Sequence, residues 1–171
     1  MEIRKILKFI PVVVFAVLMR TLPHPPNLAP IGALALFAGA NLTGITAYAF
    51  PLSVMFLSDI FLGFHSIMPY VYLSFVIIVF IGRGLKLNNK VPRLFLSAIF
   101  SSIVFFVITN FGVWFSTGMY SKNPTGLINC YLLAIPFFRN TIIGDFLYTF
   151  LFFYGYQYSL TLSRKILKLR G

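Results

Sequence analysis

The sequence predicts an all-α membrane protein of six transmembrane helices with both termini in the cytoplasm, and three observations carry that prediction. The first is surface chemistry. Of 171 residues 59% are hydrophobic and only 10% charged, with a mean hydropathy of +0.91, too little polar surface to clothe a water-soluble domain of this size. The second is that the apolar residues fall into runs separated by short turns rich in Pro, Gly and Asn. The third is where the positive charge sits. Arg4, Lys5 and Lys8 precede the first run, Arg83, Lys86, Lys90 and Arg93 fill the linker after the fourth, and Arg164, Lys165, Lys168 and Arg170 follow the last. These groups share one side only if the number of crossings is even. Arg20, Lys122 and Arg139 are then left on the other side, and the positive-inside rule assigns the richer side to the cytoplasm.

The first span is expected over residues 6–19, with Pro11 tolerated near its start. Its basic beginning and apolar middle imitate a secretory signal, but Arg20 and a cluster of prolines stand where small residues would mark cleavage, so an uncleaved span is expected. Pro23, Pro25 and Pro26 then forbid a helix, because each lacks a backbone N–H and restricts the residue before it. The second span, 28–40, is short and rich in Ala and Gly. At about 1.5 Å per residue it falls short of a hydrocarbon core of about 30 Å, so it is either completed by polar turns or re-entrant. Ala29 and Ala33, and then Ala35 and Gly39, are small residues four apart that let a neighbouring helix approach closely.

A third span covers 45–62, with Pro51 inside it and Asp59 near its far end, and a fourth covers 67–81. The fifth, 94–115, carries Ser102, Thr109 and Ser116 at seven-residue spacing, a stripe that should face another helix. Next comes the longest polar stretch, 116–125, followed by an apolar piece broken at Pro136. The sixth span is expected over 140–162, with Asp145, Thr149, Phe152, Tyr156 and Ser159 along one side. The whole is read as a single membrane domain, 1–171.

Following each span in its direction gathers the unusual polar residues at the outer half of the membrane. Arg20, Asp59, Asn110 and Trp114 lie where spans exit, Arg139, Asn140 and Asp145 where the last enters, and the turns add His24, Asn27 and His65. Charged groups at membrane depth usually face a bundle interior or a wet cavity, which makes these ten residues a candidate ligand site. The plain structural alternative is that Asp59 and Asp145 pair with Arg20 and Arg139, and that Trp114 anchors at the interface.

Other chemistry finds little support. The lone Cys130 excludes an internal disulfide and any cysteine-based zinc cluster, and the two histidines lack metal-ligand spacing, so no metal and no cofactor is expected. No phosphate-binding loop, zinc-protease helix or serine nucleophile elbow occurs, and the chain reads as no enzyme unless folding brings Asp59 and Asp145 together. The formal charge of +11 lies at span ends rather than in an aromatic-laced patch, so membrane lipid and not nucleic acid is the expected partner.

The segments LPHPPNLAPIGALALFAGA, SDIFLGFH, NFGVW and CYLLAIPFFRNTIIGDFLY, in that order, resemble a family of small bacterial integral membrane proteins of unassigned function. More distantly, the proline-rich loop followed by P-x-x-A-L-A-L-x-A-G-A is similar to the substrate-binding subunits of energy-coupling factor transporters. That resemblance implies a multi-pass protein of the bacterial inner membrane. It also implies uptake of a vitamin or other small metabolite held near the outer face, with a coupling membrane subunit and ATPases as partners. Those subunits dock through an A-x-x-x-A pattern on the first helix, where this chain has only Ala16, and no substrate residue carries across. The functional expectation is a small-molecule-binding subunit, set against an intramembrane enzyme using Asp59 and Asp145 and against a ligand-free accessory subunit.

Overall fold

A computed structural model describes residues 10–85 and 90–169. The described chain is helical and without strands: α1 (Ile10–Thr21), α2 (Ile31–Asn41), α3 (Thr46–Leu62), α4 (Met68–Arg83), α5 (Val91–Ser116), α6 (Pro124–Leu133) and α7 (Ile135–Leu169). The expected start of the first span, the cations Arg4, Lys5, Lys8, Lys86 and Arg170, and the linker asparagines lie outside the described residues.

The centre of the molecule is α2. Every residue from Ile31 to Gly39 is buried, and α2 packs on α3, α4, α5 and α7. A helix apolar all round has no solvent face to present, so it ends up surrounded. Its small residues set the distance to α4: a Cβ on Gly39 would collide with the Val79 carbonyl, and one on Gly82 with that of Leu36. The expected close approach at Ala35 and Gly39 is thus met by a glycine on the partner helix. Phe37 then fills the space toward α7, edge-on to Phe153 at 5.5 Å and to Tyr156 at 5.4 Å.

Helix ends pair in two groups. Arg20 at the end of α1 reaches Ser58 and Asp59 near the end of α3, and Asn140 near the start of α7 donates to Pro26 O in the loop before α2 at 3.0 Å. At the other end, Arg83 at the end of α4 donates to Gly44 O beyond α2 at 3.1 Å, and Arg93 at the start of α5 donates to Gly84 O at 2.6 Å. The first five helices therefore alternate in direction.

Boundaries shift from the sequence expectation at the last span. The apolar chain breaks at Ala134, with α6 and α7 bent by 48°. Pro136 forces this break: it cannot donate to a carbonyl one turn back, and it is accommodated in the first turn of a new helix, where an amide would be unpaired anyway. The last helix therefore begins at Ile135 rather than 140, and it runs through most of the basic tail to Leu169.

Among the described residues one helix, α5, is long and apolar enough to cross a membrane, and the bent pair α6 with α7 passes the same test jointly. The helices α1 to α4 are shorter apolar elements. The distribution of polarity is inverted relative to a water-soluble protein. Along α5 the exposed residues Leu96, Phe100, Ile103, Val107, Phe111 and Phe115 recur at three- and four-residue steps and are all apolar. Ser101, Ser102 and Thr109 are buried on the opposite side.

Candidate functional site

Arg20 organises one side of the site. Its guanidinium lies 2.7 Å from the Asp59 carboxylate and donates to Ser58 Oγ at 2.5 Å and to Met55 O at 3.3 Å. Tyr72 Oη donates to the other Asp59 oxygen at 2.9 Å, so α1, α3 and α4 meet on one carboxylate. Asp59 is 1% exposed, and a charge at that depth is tolerated because it is paired and hydrogen-bonded at once. This bears out the expected pairing of Arg20 with Asp59.

The second carboxylate is held differently. Asp145, 3% exposed on α7, accepts a 2.7 Å hydrogen bond from Ser102 on α5 and takes the Ala33 backbone amide as a further donor. Gly32 lies against Oδ1 so closely that any side chain there would collide with it. The first turn of α2 has Pro30 at its cap and no side-chain capping bond of its own. The Asp145 carboxylate takes that place from another helix, drawn by the unsatisfied amides and positive end of the helix dipole. The expected pair with Arg139 does not form, and Arg139 is exposed. Six residues apart on one continuous helix, the two side chains point about 120° apart.

Between these two centres lies a partly enclosed cavity of about 700 Å³, at the end of the bundle where α1, α3 and α5 finish and α2, α4 and α7 begin. Six of the ten expected residues line it: Arg20, His24, Asn27, His65, Asn110 and Asp145. Much of the remaining wall is apolar, including Met55, Val71, Phe75, Phe105 and Phe137. His24 Nδ1 sits 2.7 Å from Leu22 O, so Nδ1 carries the hydrogen. Asn27 adopts φ +64°, the left-handed conformation that asparagine tolerates better than most side chains, and so turns the proline loop back over the cavity. Asn110 spends its amide on Phe106 O at 2.8 Å along its own helix.

Four expected residues stand outside the lining. Asp59 lies behind the wall, holding Arg20. Trp114 does not present its ring to the cavity; its Nε1 donates to Ser121 O at 2.9 Å, tying the 117–123 turn to α5. Lys122 lies over that ring, 5.6 Å from its centre, and donates to the carbonyls of Trp114, Phe115 and Thr117. Asn140 holds the proline loop rather than facing the cavity, and Arg139 points away. Conversely, Thr141 and Thr109 line the cavity, and Ser58 and Tyr72 build its Arg20 side. Thr141 was findable, four residues before Asp145 on one helix face. Tyr72 joins Asp59 across a turn and carries no sequence signal.

A helical protein with a mainly apolar cavity at one end of its bundle, met by a small set of polar groups from α1, α5, α7 and the turns before α2 and α4, is what the fold and site define. The chain belongs to a family of unknown function (DUF6580), whose model matches residues 2–167. No curated protein and no solved structure matches it.

Proposed function

We propose that this is a multi-pass membrane protein that binds a small metabolite in the cavity, acting as the substrate-binding subunit of an uptake system. The carrying observation is the cavity itself: about 700 Å³, with an apolar wall and a few convergent polar side chains, within the size and chemistry of small-molecule sites. The apolar outer faces of α5 and α7, where Leu147, Leu151 and Tyr154 are exposed, support immersion in lipid. The alternating helix directions support six crossings with both termini on one side, the short α2 being supplemented by its flanking turns, and Arg83 and Arg93 at the end away from the cavity support, by the positive-inside rule, a cavity that opens outward. A coupling membrane subunit and ATPases are the partners this reading calls for.

The reading as an intramembrane enzyme draws less support, because Asp59 is committed to Arg20 and Tyr72 behind the wall while Asp145 lines the cavity. The ligand-free accessory reading is favoured by the Arg20–Asp59 pair alone and leaves the cavity without a purpose. The test is mass spectrometry of small molecules extracted from the purified full chain, followed by calorimetric titration with a panel of vitamins and nucleobases. Extraction of one compound at near-equal molar ratio is the expected result. Absence of any bound compound, with no response across the panel, would reject the binding reading.

A further inference from the structure

The charges around the cavity do not cancel. Arg20 and Asp59 neutralise one another at 2.7 Å. Asp145 is 3% exposed, lines the cavity, and has no Lys, Arg or His partner within ion-pair distance among the described residues. The nearby cations are committed or turned away: Lys122 is held by three carbonyls at the rim, and Arg139 is exposed on the far side of α7. His24 and His65 line the cavity too, but His24 engages Leu22 O through Nδ1 and neither ring lies within ion-pair distance of Asp145.

What Asp145 does have is dipolar. Ser102 Oγ lies 2.7 Å from Oδ2 and 3.0 Å from Ala98 O, within hydrogen-bond reach of both. The start of α2 adds the equivalent of about half a positive charge. Half a charge does not balance a whole one where water is scarce, so a carboxyl held here either keeps its proton or takes a cation beside it, and its place on the cavity lining is where such a cation would enter. The cavity lining includes Phe75, Phe105 and Phe137, which suit a flat apolar frame.

We propose that the ligand of this cavity is a small, ring-bearing amine whose ammonium group pairs with Asp145. This rests on the binding reading above and names its ligand class. The ammonium would complete the coordination of Asp145, and the apolar rings would take the rest of the molecule, with Asn27 and Thr141 as peripheral hydrogen-bonding groups.

The experiment is calorimetric titration of the full chain in detergent with matched probes: tryptamine and 2-phenylethylamine against tryptophol and 2-phenylethanol, which replace the amine with a hydroxyl. The amines are expected to bind at least about tenfold more tightly than the alcohols. Asp145→Asn should weaken amine binding by about a hundredfold, the scale for removing one member of a buried charge pair, and leave the alcohols unaffected. Arg139→Gln should alter neither. Equal binding of amines and alcohols, or amine binding indifferent to Asp145→Asn, overturns the amine assignment while the cavity stands as a binding site. Should neither series bind, the compound extracted from the pure chain decides: one bearing an amine upholds the assignment, one lacking it overturns it, and finding none overturns both readings. If Asp145→Asn fails to fold, the amine and alcohol comparison on the native chain still decides.

Discussion

At the scale of single residues, the Arg20–Asp59 contact shows how a buried charge is made tolerable. Arg20→Met leaves the Asp59 carboxylate unpaired beside Tyr72, and removing one member of a buried pair destabilises by about 3–5 kcal/mol. Arg20→Met combined with Asp59→Leu should recover most of that loss, since an apolar replacement leaves no stranded charge. Thermal unfolding of the two variants in the same detergent checks the prediction, and a double variant as weak as the single one would contradict it. Asn27 offers a second test. At φ +64°, Asn27→Gly should be neutral, whereas Asn27→Val should lose about 1–2 kcal/mol from left-handed backbone strain and loosen the loop over the cavity.

At the scale of elements, the decisive contact is α2 against α4. Neither Gly39 nor Gly82 has room for a Cβ, because the obstruction is backbone carbonyl and cannot rotate away. Gly39→Leu should therefore destabilise by about 1–3 kcal/mol or more, read as a lowered melting temperature. Gly155 provides the contrast: a Cβ there meets nothing within 4 Å, and Gly155→Ala on α7 should raise stability by up to about 1 kcal/mol through helix propensity alone. At the start of α6, Asn123 Oδ1 accepts from the Gly126 amide at 2.8 Å. Asn123→Ala should cost about 1 kcal/mol and fray the turn beside Lys122, measurable as faster hydrogen exchange at 125–127.

At the scale of the whole molecule, the helix directions make a topological prediction. In a chain whose Cys130 is replaced by serine, single cysteines at Thr43 and Lys90 should react with a membrane-impermeant maleimide from one side of sealed vesicles, and those at Ser66 and Ser121 from the other. All four native positions are exposed. Labelling of Thr43 and Ser66 positions from the same side would overturn the alternating arrangement.

Helical class, the position of most helices and the gathering of Arg20, His24, Asn27, His65, Asn110 and Asp145 at one end were legible in the sequence, because hydrophobic runs, proline punctuation and chain direction are local or additive properties. The pairing of Arg20 with Asp59 could be named as an option for the same reason. Orientation about each helix axis was not legible. Trp114 turning to Ser121, Arg139 facing away from Asp145, and Tyr72 closing on Asp59 depend on which helices pack against which. The start of α7 at Ile135 placed Arg139 and Asp145 on one helix and so fixed their angle. The sequence by itself determined that the scarce charges lie at or near the ends of apolar runs. Only the tertiary structure decided that one carboxylate is neutralised behind the wall while the other caps α2 at a cavity, because burial and partner choice are set by contacts between residues far apart in the chain.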